Sequence, residues 1–94
     1  MRTINGFKLR KLGNEYILVG ESLELINFNK MITFNETAAA LWRAAEECTN
    51  ANGSFTSGEL CKALCEEYEV APEQAMTDVE NTLAEWLKAG VVAE

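Results

Sequence analysis

The residues best able to do chemistry in this chain are three cysteines, because the sequence contains no histidine. Cys61 and Cys65 stand four residues apart, which places both thiols on one face if the segment is helical. Such a pair could bind a metal ion or form a redox pair, but Cys48 is a poor third ligand for zinc. We therefore expect all three side chains to pack as small apolar residues. The sequence predicts no metal site and no cofactor.

Carboxylates are the most numerous charged groups, with 15 Asp and Glu in the chain. General acid–base catalysis draws most often on histidine, and a serine or cysteine nucleophile needs a base beside it. No such pair is evident, and the glycines are scattered through turns and helix ends, unlike those of a phosphate-binding loop. We therefore predict that the protein is not an enzyme. The carboxylates expected on solvated helix faces are Glu46, Glu47, Glu66, Glu67, Glu69 and Glu73.

The net charge of −7 is distributed unevenly along the chain. Residues 1–45 contain six Lys or Arg and four Glu, a net charge of +2. Residues 46–94 contain two Lys and eleven acidic residues, a net charge of −9. A surface that binds nucleic acid needs clustered cations to neutralise phosphates. The acidic half of the chain therefore argues against a nucleic-acid partner.

The length of 94 residues fits one small domain, and a hydrophobic content of 48% supplies one modest core. No run approaches the roughly 18 apolar residues of a transmembrane helix. The first 20 residues also lack the apolar run of a signal peptide, and an odd number of cysteines does not suggest a secreted disulfide framework. We expect a single domain over residues 1–94, located in the cytoplasm and without a membrane partner.

The first third of the chain has the patterning of β-strands. Apolar and basic side chains alternate in residues 7–12, and a Gly13-Asn14 turn separates them from the β-branched and aromatic run 16–19. Together these segments predict a β-hairpin. Residues 25–28 and 31–34 are also suited to strands, either as one bent strand or as a second small hairpin.

The hydrophobic period changes to that of a helix after Asn35. Asn35 can act as the N-cap by accepting a hydrogen bond from a first-turn amide, and Glu36 would interact favourably with the helix dipole. Alternatively, Thr33 and Glu36 form a capping box that starts the helix two residues earlier. We predict a helix over residues 36–48 and a polar loop over 49–54. The apolar stripe of this helix is Ala38, Leu41, Trp42 and Ala45.

Two further helices are predicted in the second half of the chain. Thr56 begins a capping box for a helix over residues 57–68. Pro72 is well tolerated at the first position of a helix over 72–89, and Gly90 suits the residue that follows its last turn. The predicted buried stripes are Leu60, Cys61, Leu64, Cys65 and Tyr68 in the second helix, and Ala75 or Met76, Val79, Leu83, Trp86 and Leu87 in the third.

The predicted order is three to four strands within about residues 7–34, followed by three helices. This α+β arrangement, a small antiparallel sheet beside three helices, resembles winged helix-turn-helix domains, some of which place a helix in the DNA major groove. The two helices that could do so carry only Lys62 and Lys88 against seven acidic residues. Phosphates would repel such helices, so we expect the winged-helix shape without the DNA-binding function.

Three stretches of the sequence resemble the PqqD-like family: GFKLRKLGNEYILVG, NFNKMITFNETAAALW and FTSGELCKALCEEYEVAPEQAMTDVENTLAEWLKAGVV. The family's strand-to-helix junction, [LF]-N-E-T-A-x-x-[LIV]-W, is similar to ITFNETAAALW in this chain. Its C-terminal helix, with an Asp near the middle and a small-Gly-apolar ending, is similar to YEVAPEQAMTDVENTLAEWLKAGVV. The resemblance extends over nearly the whole chain, in the order of the predicted elements.

The resemblance implies a winged helix-turn-helix fold and a role in natural product biosynthesis. Members of this family are recognition elements that bind the leader of a ribosomally synthesised precursor peptide. They act as adaptors or chaperones that present the peptide to a modifying enzyme, commonly a radical S-adenosylmethionine enzyme with its own iron–sulfur cluster. The domain itself carries no cofactor. In the family the leader lies as an added strand against the edge of the third strand, in a groove walled by the third helix, which is β-augmentation.

The implied peptide-binding groove combines the predicted strand 31–34 with the exposed flank of the third helix. A strand edge is a liability unless it is covered or used, and no proline blocks pairing in this strand. Side chains alternate along a strand, so either Met31 with Thr33 or Ile32 with Phe34 faces the core. The groove residues carried over by position are Met31, Ile32, Thr33, Phe34, Asp78, Asn81, Thr82 and Glu85.

Other arrangements and functions stay open at the level of sequence. Residues 21–30 are longer and more apolar than a simple connection needs, and an extra strand there would change which sheet edge is unpaired. A homodimer that used this edge would compete with the leader. The alternative function is a winged-helix module that binds another protein or itself without a precursor peptide, with a DNA-binding regulator less favoured. Trp42 and Trp86 are predicted to be core residues and not peptide-stacking ones.

Overall fold

The structure is a computed structural model that describes residues 1–4, 6–20 and 32–94. Over these residues a small antiparallel sheet precedes three helices, which is the predicted α+β, winged helix-turn-helix-like class. Met31 and the proposed extra strand fall within 21–31, which lies outside the described residues. The elements in chain order are β1 (Arg2–Thr3), β2 (Phe7–Leu12), β3 (Glu15–Gly20), β4 (Ile32–Phe34), α1 (Glu36–Asn52), α2 (Ser57–Glu67), α3 (Pro72–Ala89) and β5 (Val92–Ala93).

The predicted β-hairpin forms two strands of a three-stranded sheet. β2 and β3 pair antiparallel, and their register closes with Leu12 opposite Glu15. Gly13 occupies the first turn position with a φ of +62°, a conformation that glycine adopts without steric cost. β4 pairs with the other side of β3, with Tyr16 opposite Phe34. The order β2–β3–β4 makes β2 and β4 the two edge strands of this sheet among the described residues.

A second sheet of two strands joins β1 to β5, which the sequence did not predict. The strands pair antiparallel. A backbone hydrogen bond from Ile4 N to Val91 O at 3.1 Å extends this pairing, and another from Phe55 N to Met1 O at 2.6 Å joins the first residue to the segment that follows α1. Each of the two strands has only two residues. Segments of this length are too short to show a hydrophobic period in the sequence.

Helix α1 begins at one of the two predicted N-caps. The Asn35 side-chain oxygen accepts a hydrogen bond from Ala38 N at 2.8 Å, and Asn35 itself has extended backbone angles. The cap at Asn35 is therefore confirmed, and Thr33 belongs to β4 instead. Ala38, predicted in the apolar stripe, is half-buried. The buried residues of α1 are Ala39, Leu41, Trp42 and Ala45.

Helix α1 ends later than the sequence indicated. The prediction of an end at Cys48 and a loop from residue 49 was wrong, because the helix continues to Asn52. Gly53 follows as the C-cap, in the left-handed region with a φ of +83°. Glycine adopts this backbone conformation more readily than the polar residues before it. The Thr49 hydroxyl oxygen also accepts a hydrogen bond from the backbone N of Thr3 at 3.1 Å. This contact with β1 holds the last turns in place.

Helices α2 and α3 lie close to their predicted bounds. At the start of α2, Thr56 and Glu59 exchange side-chain-to-backbone hydrogen bonds of 2.9 and 3.1 Å, so the predicted capping box is confirmed. Helix α3 spans Pro72–Ala89 as predicted. The amides of Gly90 and Val91 donate to carbonyls of its last turn in a Schellman motif. No helix in the described part of the chain has the length and apolar character that crossing a membrane requires.

Aromatic rings occupy the centre of the core. Trp42 and Trp86 are 1% and 3% exposed, so their predicted core positions are confirmed. Phe34 stacks on Trp86 with 5.4 Å between ring centroids, and Trp42 meets Trp86 edge-on at 5.3 Å. Such ring pairs add about 0.5–1.5 kcal/mol beyond the burial of their area. One aromatic cluster therefore holds β4, α1 and α3 together.

Candidate functional site

Strand β4 presents its side chains to two sides of the sheet. Phe34 is 3% exposed and belongs to the core, and Ile32 is partly buried against the same core. Thr33, between them, is exposed. Of the two alternatives that the sequence left open, Ile32 with Phe34 therefore faces the core. Met31 precedes the strand and lies outside the described residues.

Helix α3 carries a polar stripe beside its buried one. The stripe consists of Asp78, Asn81, Thr82 and Glu85, whose spacings of three and four residues place them on one helix face. Asp78 and Thr82 are half-buried, whereas Asn81 and Glu85 are exposed. Partial burial at two of four positions indicates that this face borders a depression and not an open convex surface.

The edge of β4, the start of α1 and the polar stripe of α3 surround one groove with a volume of about 460 Å³. We refer to it as the β4–α3 groove. It brings together seven of the eight groove residues expected from the sequence, the eighth being Met31. Its lining residues are Ile32, Thr33, Phe34, Asn35, Thr37 and Ala38 from β4 and α1, and Asp78, Asn81, Thr82, Glu85, Trp86 and Ala89 from α3.

The lining of the β4–α3 groove is acidic. Asp78 and Glu85 are its charged members, and none of the described residues that line it is Lys or Arg. The Asp78 carboxylate accepts a hydrogen bond from Gln74 Nε2 at 2.9 Å, one turn earlier on α3. This bond restrains the carboxylate at the α3 wall. The groove therefore favours a cationic or neutral ligand over an anion.

Two packed contacts set the shape of the β4–α3 groove. Phe34 and Trp86 both line it, and their stacked rings fix the separation of β4 from α3. The Asn35 cap fixes the point at which the chain leaves β4 and enters α1. Among the described strands β4 pairs only with β3, so within the described residues its other edge is unpaired. An unpaired edge of this kind can accept an extended chain. The site is thus a preformed groove beside a strand edge.

Five of the lining residues were not assigned to the groove by sequence reasoning. Asn35 and Trp86 were assigned to the cap and the core, and both keep those roles while also lining the groove. A signal for Ala89 was present, because it extends the spacing of Thr82 and Glu85 by a further four residues. The five residues are Asn35, Thr37, Ala38, Trp86 and Ala89.

A second groove of about 370 Å³ lies at the other edge of the same sheet, between β2 and α1. We refer to it as the β2–α1 groove. Over the described residues its lining is basic, with four cationic side chains and one carboxylate. No motif in the sequence indicates this groove, since its cations come from two segments more than 30 residues apart. Its lining residues are Lys8, Leu9, Arg10, Lys11, Tyr16, Trp42, Arg43 and Glu46.

The cysteines make contacts typical of packing. The Cys61 Sγ lies 3.6 Å from Pro72 O at the start of α3, and the Cys65 Sγ lies 3.8 Å from Val70 O in the connection between α2 and α3. Desolvation by burial is the main cause that raises the pKa of the Cys48 and Cys61 thiols. Protonated thiols are poor nucleophiles and poor metal ligands. Over the described residues, no three Cys, Asp or Glu are grouped so that they could hold a metal ion.

Comparisons with known proteins identify a family and a fold. The model of the family described as coenzyme PQQ synthesis protein D (PqqD) matches residues 15–92. A solved structure described as "TbiB1 in Complex with the TbiA(beta) Leader Peptide" is similar to this chain with a TM-score of 0.74 and 15% sequence identity, over 100% of both chains. At that identity the likeness shows a shared fold. No curated protein sequence matches the chain significantly.

Proposed function

The chain belongs to the PqqD family, and from this premise we propose that it is a peptide-binding adaptor. Its ligand is the leader of a ribosomally synthesised precursor peptide, which binds in the β4–α3 groove. The adaptor presents the peptide to a modifying enzyme, a radical S-adenosylmethionine maturase that supplies the chemistry and the cofactors. The adaptor itself is non-catalytic and works in the cytoplasm, where ribosomal precursors are made.

The observation that carries this proposal is a groove beside an unpaired strand edge. Among the described strands β4 has β3 on one side only, and its other edge borders the groove of about 460 Å³. An extended peptide can add there as a further strand, because the backbone N–H and C=O groups of β4 supply hydrogen bonds. Alternate side chains of the peptide then point towards α3.

The structural neighbour supports the same class of ligand. It is described as a complex with a leader peptide, and its fold covers the whole of this chain. A shared fold preserves the positions of strands and helices, whereas function depends on the side chains of each site. Selection among leader peptides must therefore come from the residues that line the β4–α3 groove in this chain.

The lining residues favour a leader with one basic and one apolar side chain. Asp78 and Glu85 on α3 attract a Lys or Arg of the peptide, and no described lining residue repels it. Ala38 and Ala89 have small, half-buried side chains that line the same groove as Trp86. They leave space for one apolar side chain of the peptide between α1 and α3. Backbone pairing supplies affinity, and these two contacts supply selectivity.

The proposal is tested by titrating the isotope-labelled protein with the peptide encoded by a short precursor gene next to its own gene. We expect saturable chemical-shift changes in residues 32–37 and along the polar stripe of α3. The same peptide with scrambled sequence is the control. Shift changes confined to β2 and α2, with β4 and α3 unaffected, would contradict the groove assignment.

Two arginine substitutions on α3 separate groove binding from a general effect on the helix. Thr82→Arg fills the groove and adds a cation where the peptide is expected, so affinity for the precursor peptide should fall by more than about tenfold, or ~1.4 kcal/mol. Ala84→Arg adds the same side chain at an exposed position that does not line the groove. It should leave affinity unchanged in isothermal titration calorimetry. Equal effects of the two substitutions would argue against the proposed site.

A self-associating module without a precursor peptide is the second candidate function. The observation that favours it is the presence of two edge strands, β2 and β4, in the described sheet. A second copy could pair along either edge, as edge strands readily do. Light scattering after gel filtration distinguishes the candidates: a dimer that the precursor peptide does not dissociate supports the module, and a monomer supports the adaptor.

A further inference from the structure

The β2–α1 groove gathers much of the positive charge of an otherwise acidic protein. The net charge of the chain is −7, yet four of the seven Lys and Arg in the described part of the chain line this one groove. Of the described residues that line the groove, one is a carboxylate, Glu46, and it accepts a hydrogen bond from Trp42 Nε1 at 3.0 Å. The four cations are Lys8, Arg10, Lys11 and Arg43.

A tyrosine ring positions two of these cations. The Lys11 Nζ lies 5.8 Å and the Arg43 guanidinium 5.2 Å from the centroid of the Tyr16 ring. Lys11 comes from β2, Arg43 from α1 and Tyr16 from β3, so three elements converge on one point. Cation–π contacts of this kind restrain the cations without neutralising them, and each is favourable by about 0.5–1 kcal/mol at exposed sites. The ring thus restrains two of the cations that line the groove.

The groove also lies along a strand edge. β2 is the outer strand of the three-stranded sheet within the described residues and has six residues, twice the length of β4. Such an edge accepts an extended chain, while basic side chains on the strand and on the neighbouring helix favour carboxylates. We propose that the β2–α1 groove binds an extended, acidic segment of a second protein, at a site separate from the leader groove.

Two other occupants fit the charges less well. A second copy of the chain carries the same net charge of −7, so two copies repel each other over most of their surfaces. A nucleic acid would extend its phosphates beyond a groove of about 370 Å³ and over other surfaces of the domain, which include helices α2 and α3. Those helices carry seven acidic residues against Lys62 and Lys88. A short acidic peptide segment places its charges within the groove alone.

The test uses a short synthetic peptide that alternates glutamate with valine, added to the full chain in low salt and followed by NMR. We expect saturable binding with chemical-shift changes at residues 8–11 and at Arg43. The same peptide with glutamine in place of glutamate should bind at least about tenfold more weakly, because the charge pairs are lost. Equal binding of both peptides, or shift changes confined to β4 and α3, would overturn the proposal.

A matched pair of double variants locates the binding. Lys11→Glu with Arg43→Glu reverses two groove cations, and Lys62→Glu with Lys88→Glu makes the same charge change at exposed positions that do not line the groove. The first pair should weaken binding of the acidic peptide by at least about tenfold and the second by less than about twofold. Equal losses of affinity in the two double variants would show that net charge alone causes the effect, and would overturn the assigned site. If the first pair does not fold, Lys11→Gln with Arg43→Gln replaces it, with an expected loss of several-fold.

Parallel measurements separate this proposal from the leader proposal and from other occupants. The groove variant should bind the precursor peptide as the wild type does, so either binding activity can fail while the other persists. Two results would overturn the acidic-segment assignment. One is a wild-type dimer in light scattering that Lys11→Glu with Arg43→Glu dissociates. The other is single-stranded RNA that binds the wild type more tightly than the acidic peptide and is released by the same variant.

Discussion

The two grooves of this domain share an architecture and differ in charge. The β4–α3 groove and the β2–α1 groove each lie between an edge strand of one sheet and a helix. Among the described residues, two carboxylates and no cation line the first, whereas four cations and one carboxylate line the second. Each groove lies along an edge strand of the same sheet, so the side chains around that edge decide what the groove can bind. Two partners of opposite charge could then occupy the domain together.

The grooves also share a packed wall. Trp86 lines the β4–α3 groove and Trp42 lines the β2–α1 groove, and their ring centroids are 5.3 Å apart in the core. A change at the surface of one groove should leave the other intact. A change in the aromatic cluster should disturb both. The following substitutions test this distinction.

Removal of the shared wall should have the largest effect. Trp86→Ala deletes a ring that contacts Phe34 and Trp42 in the core, so we expect the free energy of unfolding to fall by about 3–5 kcal/mol. Leu87→Ala, at a half-buried position next to it, should have a clearly smaller effect. Chemical denaturation measures both. A loss from Trp86→Ala no larger than that from Leu87→Ala would contradict a common aromatic wall.

Two helix-cap substitutions with similar effects on stability separate a residue that lines the groove from one that does not. Asn35→Ala and Thr56→Ala each remove a side-chain cap bond, so each should lower the free energy of unfolding by about 1 kcal/mol. Only Asn35 lines the β4–α3 groove. Asn35→Ala should therefore also weaken binding of the precursor peptide, which calorimetry can measure. If Thr56→Ala weakens peptide binding equally, then stability and not the groove controls affinity.

Charge reversal on α3 tests the acidic character of the β4–α3 groove. Glu85→Lys should weaken binding of the precursor peptide by about 0.2–1 kcal/mol, the range for exposed charge pairs. Glu80 is an exposed glutamate on the same helix that does not line the groove. Glu80→Lys makes the same change in net charge and should have no measurable effect in calorimetry. The idea of a basic leader residue fails if the two variants behave alike.

Ionic strength should affect the two grooves unequally. Salt reduces the Debye length from about 10 Å at 0.1 M to about 3 Å at 1 M, so binding of the acidic peptide to the β2–α1 groove should weaken strongly. Backbone pairing at β4 does not depend on charge, so binding of the precursor peptide should weaken only slightly. Fluorescence anisotropy across a salt series measures both. An equal decrease in affinity with salt for both peptides would contradict the proposed charge difference between the grooves.

Local features of the fold could be predicted from the sequence with good accuracy. The Gly13-Asn14 turn, the Asn35 cap and the Thr56 capping box each depend on residues within four positions of one another. The end of α1 was predicted too early because Thr49 and its neighbours are polar, while the stabilising contact comes from Thr3, far away in sequence. The β1–β5 pairing was missed because each strand has only two residues and its partner lies at the other end of the chain. Contacts between distant segments leave no period in the sequence.

The candidate site was predictable to the extent that it follows a stripe or a motif. Asp78, Asn81, Thr82 and Glu85 were carried over by position from the family resemblance, and the structure places all four on the same groove as the residues of β4. The β2–α1 groove could not be predicted in this way. Its cations are distributed between residues 8–11 and Arg43, and only the packing of α1 against the sheet brings them together around Tyr16.

By itself, the sequence determined the order of β2, β3, β4 and the three helices, the N-caps of α1 and α2, the Gly13-Asn14 turn, the family and the acidic character of the chain. These properties depend on side-chain type and on spacings shorter than about one or two helical turns. Only the tertiary structure decided that Ile32 and Phe34 face the core, that α3 stands beside β4, and that two edges carry opposite charge. The reason is physical. Burial of the aromatic cluster joins segments distant in sequence, and the grooves are the spaces that this packing leaves at the edges of the sheet.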